Sequence, residues 1–454
     1  MINFLSVEKE SYKDSQPAAF ASGEWRGRRA VHGALLKRAR PCGGPITAKE
    51  AIILAKKFPF HYGSVVAACC TLVTMFNIGL VLSCAGIFFV PISAELGEPV
   101  SKVALMLSFN LIFSSIMLSF SGKVLEIFGA RRMMTLSSIV MGVCLLAMSK
   151  FDALWQFYAA GAVFGVTFTF LMYLSFPTII PRWFNKKVGL MMGIAAAGSS
   201  IGGALFNPIC GWLINAYGWR TTYVIFGLII LLVISPVLGI FLRNKPADVG
   251  LKPYGESPAR KLNSAGPEYR AVLKMPMFYG LFAFAFLMSA TASVFHFIPK
   301  YAATLNFTLE QASLAASAAM VGSTIGKVGL GMINDASIKL GLATMIGLGI
   351  AGLGLMFFGS SGLTMLIAGG FLFGWAYAGV FVQTPLLVRA VFGSRSYSQV
   401  YSNISIAFTV SAAIAIGAWG FLAEAGGYAL VLATGIILLA ICGAIGFTAL
   451  KKSL

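Results

Sequence analysis

The chain has 454 residues, of which 58% are hydrophobic and 11% are charged. A soluble globular domain is about 45–50% apolar and about 25% charged, so this composition excludes an ordinary soluble protein and indicates a helical membrane protein. The formal net charge of +19 by itself would suggest nucleic-acid binding. The distribution of that charge along the chain, described below, argues against it.

Residues 1–62 are polar and basic, with Arg26, Arg28, Arg29 and Lys37 close together. We expect this segment to be a disordered cytosolic tail. The alternative is a surface-lying segment attracted to anionic lipid. Because the segment has no apolar core of the kind found in signal peptides, we expect no cleavable leader.

Apolar runs that are long enough to cross a bilayer as helices follow the tail. The predicted limits are 63–91, 101–121, 133–149, 153–180, 188–213, 221–242, 276–298, 311–333, 342–359, 362–388, 398–422 and 428–449. A polar, proline-containing stretch, 243–275, separates six spans from six. The sequence therefore predicts an all-α membrane protein with twelve transmembrane helices, divided into bundles at 63–242 and 276–450.

Positive charge fixes the predicted orientation. With both termini inside, 29 of the 34 Lys and Arg residues fall in cytosolic segments, four fall outside, and Lys327 lies in a span. The net charge is explained as a topology signal, so we expect no nucleic-acid partner. The predicted location is the bacterial cytoplasmic membrane.

The two predicted bundles are related by an internal repeat. Gly122 and Glu126 recur as Gly331 and Asp335, an offset of 209 positions, and other pairs recur at 208 or 209. A duplicated bundle predicts a central site between the halves, open alternately to each side of the membrane. The spacings Gly198-x-x-x-Gly202 and Gly322-x-x-x-Gly326 indicate close helix contacts.

Lys327 is the candidate binding residue. It lies about 8 Å past the midpoint of its span and about 10 Å short of its end, at ~1.5 Å per residue. A charge at that depth is costly and usually faces a partner or a polar cavity. We therefore interpret Lys327 as a site for an anion in transit. The alternative is a structural or gating role, with the lysine stem packed between helices.

Other side chains are candidates for the same cavity. Ser323 lies one turn from Lys327 on the same helix face. His296 is a candidate proton relay or second donor, since histidine titrates near neutral pH; the alternative is a half-wet interfacial side chain. The remaining candidates are polar or amphipathic residues of predicted spans, each with interhelical packing as its alternative: Asn77, Asn110, Tyr173, Trp375, Tyr377 and Asn403.

The segment from Gly122 to Arg132 resembles the loop between the second and third helices of major facilitator superfamily transporters. The residues that match in kind are Gly122, Glu126, Gly129, Arg131 and Arg132. Gly331 to Gly341, with Asp335, is a second, degraded copy. The resemblance implies the major facilitator fold, and for these residues a structural and gating role rather than substrate contact.

Residues from about Pro177 to Gly255 resemble the bacterial branch of the monocarboxylate transporter and oxalate:formate antiporter group. That group places an arginine where Lys327 stands, to hold a carboxylate, and often an aspartate where Ser323 stands. The antiporter branch carries a second cation in the eleventh helix, and the predicted eleventh span has no Lys or Arg. One buried cation matches a monocarboxylate.

We therefore expect a secondary or facilitative carrier of a small organic anion, with or without a proton as co-substrate. The carrier is expected to function as a monomer and to need no cofactor. The alternatives are an organic-anion antiporter, an exporter of another small solute and a transporter-like sensor. An enzyme is not expected, since only three histidines and no deeply placed acid are present.

Overall fold

The computed structural model describes residues 61–255, 266–359 and 362–452. The predicted basic tail therefore lies outside the described residues apart from its last two positions. Within the described ranges the secondary structure is helical, apart from an isolated bridge between Phe184 and Tyr254.

The helices before the central stretch are Gly63–Val73, Ala85–Leu96, Val100–Phe128, Ala130–Met148, Leu154–Phe168, Ser175–Trp183, Val188–Ile229 and Ser235–Phe241. Those after it are Tyr269–Val272, Pro276–Ala292, Ile298–Thr304, Leu309–Ala336, Ile338–Phe357, Leu363–Phe381, Gln383–Phe392 and Tyr397–Lys452. Several are joined by π-helical or 3₁₀ segments, namely the ten-residue Thr74–Ser83 and the shorter Thr169–Tyr173, Ile230–Ile234 and Ser293–Phe297.

Ten helical stretches of the described ranges are long and apolar enough to cross a membrane. Two of them, Val188–Phe241 and Tyr397–Lys451, are 54 and 55 residues long, far beyond the ~20 residues that one crossing requires. The first is interrupted at Gly218, with φ 79°, and the second at Gly427, with φ 70°. The two breaks are 209 positions apart, the offset of the internal repeat. The number of twelve crossings stays a prediction.

In the structure, five predicted spans are divided into shorter elements: 63–91, 153–180, 221–242, 276–298 and 362–388. The run 362–388 is two helices, Leu363–Phe381 and Gln383–Phe392, rather than one. Pro385 explains the break, because proline has no N–H to donate to the carbonyl four residues earlier, at Phe381. The central stretch also contains a short helix, Tyr269–Val272, which the sequence did not predict.

The predicted small-residue spacings are close helix contacts, as expected. A β-carbon on Gly202 would meet the backbone of Met75, and one on Gly322 would meet the backbone of Phe371. At both positions only glycine lets the neighbouring helix approach this closely.

Two helices bring the halves of the chain together. We call Leu309–Ala336 the lysine helix and Val188–Ile229 the serine helix. A β-carbon on Gly331 would meet the carbonyl of Gly189, and one on Gly193 would meet the carbonyl of Lys327. Because residue numbers rise along one helix as they fall along the other, the two helices run antiparallel across this contact.

The same contact recurs elsewhere with the offset of the sequence repeat. Gly122 packs against the backbone of Ser398 and Gln399, while its counterpart Gly331 packs against that of Gly189 and Leu190. The positions match at an offset of 209 residues. Both contacts lie at the end of the molecule that carries the arginine-rich loops, which we call the basic end and which is predicted to be cytosolic.

Substitution of Gly331 tests this packing. We expect Gly331→Ala to lower the apparent Tm, because the new methyl group would meet the backbone of Gly189 and overpacking costs about 1–3 kcal/mol. Gly354→Ala is the matched control, since a β-carbon there meets nothing within 4 Å. Thermal unfolding of the purified variants in detergent is the measurement. Equal Tm values for the two variants would contradict the close contact.

Candidate functional site

Lys327 lies in the interface between the lysine helix and the serine helix. Its side chain is 1% exposed. Nζ donates to Ser199 Oγ at 2.9 Å and to Ser200 Oγ at 2.6 Å. The ammonium therefore belongs to the second half of the chain, while both of its hydrogen-bond acceptors belong to the first.

Helix geometry explains this meeting. On the serine helix, Gly189, Gly193 and Ser200 are spaced at i, i+4 and i+11, which places them on one face. Helical side chains lean toward the N-terminus of their own helix. In this antiparallel pair, the Lys327 stem therefore leans away from the basic end, along the serine helix, and reaches Ser200 two turns beyond Gly193.

Two aromatic rings lie on the other side of the ammonium. The ring centroid of Phe381 is 5.1 Å from Lys327 Nζ, and that of Tyr377 is 5.9 Å away. Both rings stand one turn apart on Leu363–Phe381, within the distance at which a ring face attracts a cation. The ring of Phe295 in turn lies 5.7 Å from that of Tyr377, centroid to centroid.

No carboxylate balances this charge within the described ranges. Their ion pairs join Lys102 to Glu98, Arg220 to Glu95 and Asp152, and Arg395 to Glu268. Lys327 takes part in none of them. A lysine at such depth costs ~2.5 kcal/mol or more, so a compensating anion has a large electrostatic benefit there.

The site holds hydrogen-bond donors that an anion could use. The Ser199 hydroxyl donates to the carbonyl of Ala196 at 2.8 Å. Within the described ranges, the Ser200 hydroxyl has no such acceptor, and the buried Ser323 Oγ has no hydrogen-bond partner at all. An ammonium has three N–H groups, of which two are used here. The remaining N–H of Lys327 and the hydroxyls of Ser200 and Ser323 are three available donors.

The structure brings some of the predicted residues together with Lys327. Ser323 precedes Lys327 by one turn on the same helix face, and Tyr377 contacts Lys327 directly. Trp375 instead packs along the lysine helix, against Gly326 and Gly329. Its role in the described contacts is to hold two helices together.

His296 is connected to the site only through aromatic rings. It is an exposed residue in the turn Ser293–Phe297, and its ring packs against Phe295 at 5.6 Å between centroids. Phe295 and Tyr377 stand between it and the ammonium in this series of contacts. Within the described ranges, no hydrogen bond ties the His296 ring to another group.

The other predicted candidates have local partners. Asn77 donates to the carbonyl of Val73 at 3.0 Å, and its own oxygen is buried without a partner. Asn110 is buried on Val100–Phe128, where a β-carbon on Gly165 would meet its carbonyl. Tyr173 is half-buried at the end of a π-helical turn.

Asn403 lies toward the basic end rather than at the lysine. Its Nδ2 donates to the Tyr269 hydroxyl at 3.1 Å and to the carbonyl of Gln399 at 2.9 Å. Tyr269 belongs to the short helix of the central stretch, so this asparagine joins the central stretch to the last long helix.

Asp335 and Glu126, two of the predicted gating residues, make contacts between the halves. The Asp335 carboxylate accepts from the backbone N–H of Gly189 at 2.7 Å and of Leu190 at 2.8 Å. It therefore caps the N-terminus of the serine helix, where the helix dipole favours a negative charge. Glu126 accepts a hydrogen bond from the Gln399 side chain.

Three other predicted gating residues, Gly129, Arg131 and Arg132, belong to the first half, and among the described residues none of them has a hydrogen bond or ion pair to the second. Gly129 has φ 80°, a conformation that favours glycine. Arg131 Nε donates to the carbonyl of Gly239 at 2.9 Å, near a helix C-terminus, where a cation is favoured. Arg132 is exposed. The motif thus combines contacts between the halves with contacts inside the first half.

The sequence analysis missed Ser199, Ser200 and Phe381. The run Gly198-Ser-Ser-Ile-Gly-Gly203 indicated only helix packing. Its glycines Gly198 and Gly202 do pack against the first helix, and the serines point elsewhere. Two adjacent hydroxyls inside an apolar helix indicate a polar partner, and this signal is present in the sequence.

Comparison with known proteins identifies the family. The sequence profile described as Major Facilitator Superfamily matches residues 67–361. The transporter pynF of Aspergillus niger is 26% identical over 58% of this chain and 57% of its own length, so the chain spans little more than half of that relative. YhjX of Escherichia coli, an uncharacterized MFS-type transporter, is 25% identical over 75% of this chain and 83% of its own length.

One further relative and one solved structure are also similar to this chain. Bovine (Bos taurus) monocarboxylate transporter 13 is 27% identical over 31% of this chain and 33% of its own length. The human organic anion transporter MFSD10 has a solved structure that matches with a TM-score of 0.64 at 14% identity, covering 85% of this chain and 98% of that one. The latter similarity concerns the fold alone. The chain is a multi-pass membrane protein and belongs to the major facilitator superfamily, a family of transporters.

Proposed function

We propose that this transporter carries a small organic anion, a monocarboxylate, and that Lys327 binds the carboxylate. One observation carries the proposal: among the described residues, the groups in contact with the buried ammonium are neutral hydroxyls and ring faces. An anionic solute would supply the missing countercharge. A cationic solute would be repelled by the same group.

The donors around Lys327 suit one carboxylate group. Its two oxygens can accept from the remaining N–H of Lys327 and from the hydroxyls of Ser200 and Ser323. Lys327 is the only buried Lys, Arg, Asp or Glu within the described ranges, which favours a solute with one carboxylate over a dicarboxylate. The rings of Tyr377 and Phe381 offer an apolar wall for the rest of the acid.

The names of two relatives support this solute class. One similar protein is a monocarboxylate transporter, and one structure of the same fold is an organic anion transporter. We also propose that the transporter works as a monomer in the cytoplasmic membrane of a bacterium, with both termini in the cytosol.

The geometry also relates binding to alternating access. An anion held by Lys327 and Ser200 touches both halves at once. Asp335 lies two turns from Lys327 on the same helix, ~12 Å along the axis, and caps the serine helix at the basic end. For the solute to leave toward that end, the contact between Gly189 and Gly331 must separate.

Substitution of Lys327 is the direct test. We expect Lys327→Ala to reduce uptake of radiolabelled pyruvate or lactate into proteoliposomes by about 10–100-fold, since a hydrogen bond to a charged group contributes about 1.5–3 kcal/mol. Lys327→Arg retains part of the uptake, because it keeps the charge. Lys300→Ala, at an exposed lysine, is the control and leaves uptake unchanged. Wild-type uptake by a folded Lys327→Ala protein would refute the site.

The serine hydroxyls provide an independent test. We expect Ser200→Ala and Ser323→Ala each to raise KM about tenfold, since each removes one donor to a charged oxygen. Ser405→Ala is the control, because that buried hydroxyl donates to the carbonyl of Tyr401 in its own helix at 2.7 Å. If all three variants have the same KM, the hydroxyls do not bind the solute.

His296 is tested by pH dependence. If His296 relays a proton, the change in its protonation state shapes the dependence of the uptake rate on pH. We expect His296→Gln to flatten that profile. His61→Gln is the control, since His61 lies at the basic end and its Nε2 contacts the carbonyl of Lys252 at 3.0 Å. An unchanged profile removes His296 from the mechanism.

A further inference from the structure

A cavity lies at the basic end, away from Lys327. It is a groove of about 280 Å³ between Val100–Phe128, the start of Tyr397–Lys452 and the short helix Tyr269–Val272. We call it the basic-end groove. The residues of its lining that matter here are Phe120, Lys123, Ile127, Tyr269, Gln399 and Asn403.

One wall of the basic-end groove continues the outer surface of a membrane-spanning helix. Phe120 is 62% exposed and Ile127 is 65% exposed. Ile112 and Ile116 precede them on the same helix and are also exposed, at a spacing of three or four residues per turn. This stripe faces outward from the bundle, so in a bilayer the groove opens toward acyl chains.

The groove also contains a cation and a hydroxyl donor. Lys123 is exposed, and within the described ranges it forms no ion pair. The carboxylate of Glu126 lies one turn away but is engaged by the Gln399 side chain. The Tyr269 hydroxyl accepts from Asn403 Nδ2, which leaves its own proton available. Burial raises the pKa of Tyr269, so the hydroxyl stays protonated.

We propose that the basic-end groove binds an anionic phospholipid of the same leaflet. The phosphate accepts from Lys123 and from the Tyr269 hydroxyl, and the acyl chains lie along Phe120 and Ile127. The combination of one cation, one hydroxyl and an exposed apolar stripe at the end of a span matches a lipid, whose charged and apolar parts are joined. A soluble anion would use only the polar part.

The internal repeat supports a dedicated site. At the offset of 209 positions, the residue that corresponds to Lys123 is Met332, which is 56% exposed. The two related interfaces therefore share their glycine contacts but not the cation. A lysine kept only for membrane topology would not need a groove with a hydroxyl donor beside it.

The occupant would touch both halves of the chain. Val100–Phe128 belongs to the first half, while Gln399 and Asn403 belong to the second. A lipid seated in the groove therefore stabilises the arrangement in which Gly122 packs against Gln399. This site is independent of the anion proposed at Lys327.

Native mass spectrometry of the full chain, purified from vesicles of phosphatidylglycerol and phosphatidylcholine, tests the site. We expect Lys123→Met to retain about fivefold less phosphatidylglycerol than the wild type, because the variant loses the attraction of one cation for the anionic headgroup. Lys150→Met is the matched control, an exposed lysine predicted on the opposite side, and leaves retention unchanged. Equal retention by the wild type and Lys123→Met would overturn the proposal.

Two further measurements separate a lipid from a soluble anion. We expect Ile127→Ser to lower phosphatidylglycerol retention although Lys123 is intact, because the acyl chains lose their contact. We expect excess glycerol 3-phosphate not to displace the lipid. Displacement by glycerol 3-phosphate, or full retention by Ile127→Ser, would overturn the lipid assignment.

Discussion

The ammonium of Lys327 is buried at the contact between the two halves of the chain, and the surrounding structure is organised by the cost of that burial. An uncompensated lysine inside a membrane protein persists only where polar partners reduce its cost. Ser199 and Ser200 do so from the opposite half, and Tyr377 and Phe381 add their ring faces. Neutral partners lower the cost without cancelling the charge, which leaves the group able to attract an anion.

Backbone packing makes this arrangement possible. Gly193 admits the carbonyl of Lys327, and Gly189 admits that of Gly331, so the lysine helix and the serine helix touch without intervening side chains. Asp335 closes the same pair of helices at the basic end. The proposed binding site and the Asp335 cap therefore share one interface, and a change in the spacing of these two helices would alter both.

The duplicated halves have kept their packing and changed their chemistry. The repeat relates Lys327 to Leu118, which is fully buried, and Ser200 to Thr409, whose hydroxyl lies 2.6 Å from that of Ser115. A cation therefore stands in only one of the two related central interfaces, while an exposed lysine, Lys123, stands at the basic end of the other. The two related interfaces therefore differ in where their charged side chains lie, although their backbone contacts are similar.

The sequence by itself determined the helical class, the family, the glycine contacts and the depth of Lys327, because apolar length, small-residue spacing and a charge inside an apolar run are local properties. It did not determine the partners of that lysine, the break after Phe381 or the position of Asn403 beside Tyr269. A helical period shows which residues share a face, but not which helix that face meets. Only the tertiary structure, by packing the serine helix against the lysine helix, decided that Ser199 and Ser200 hold the charge.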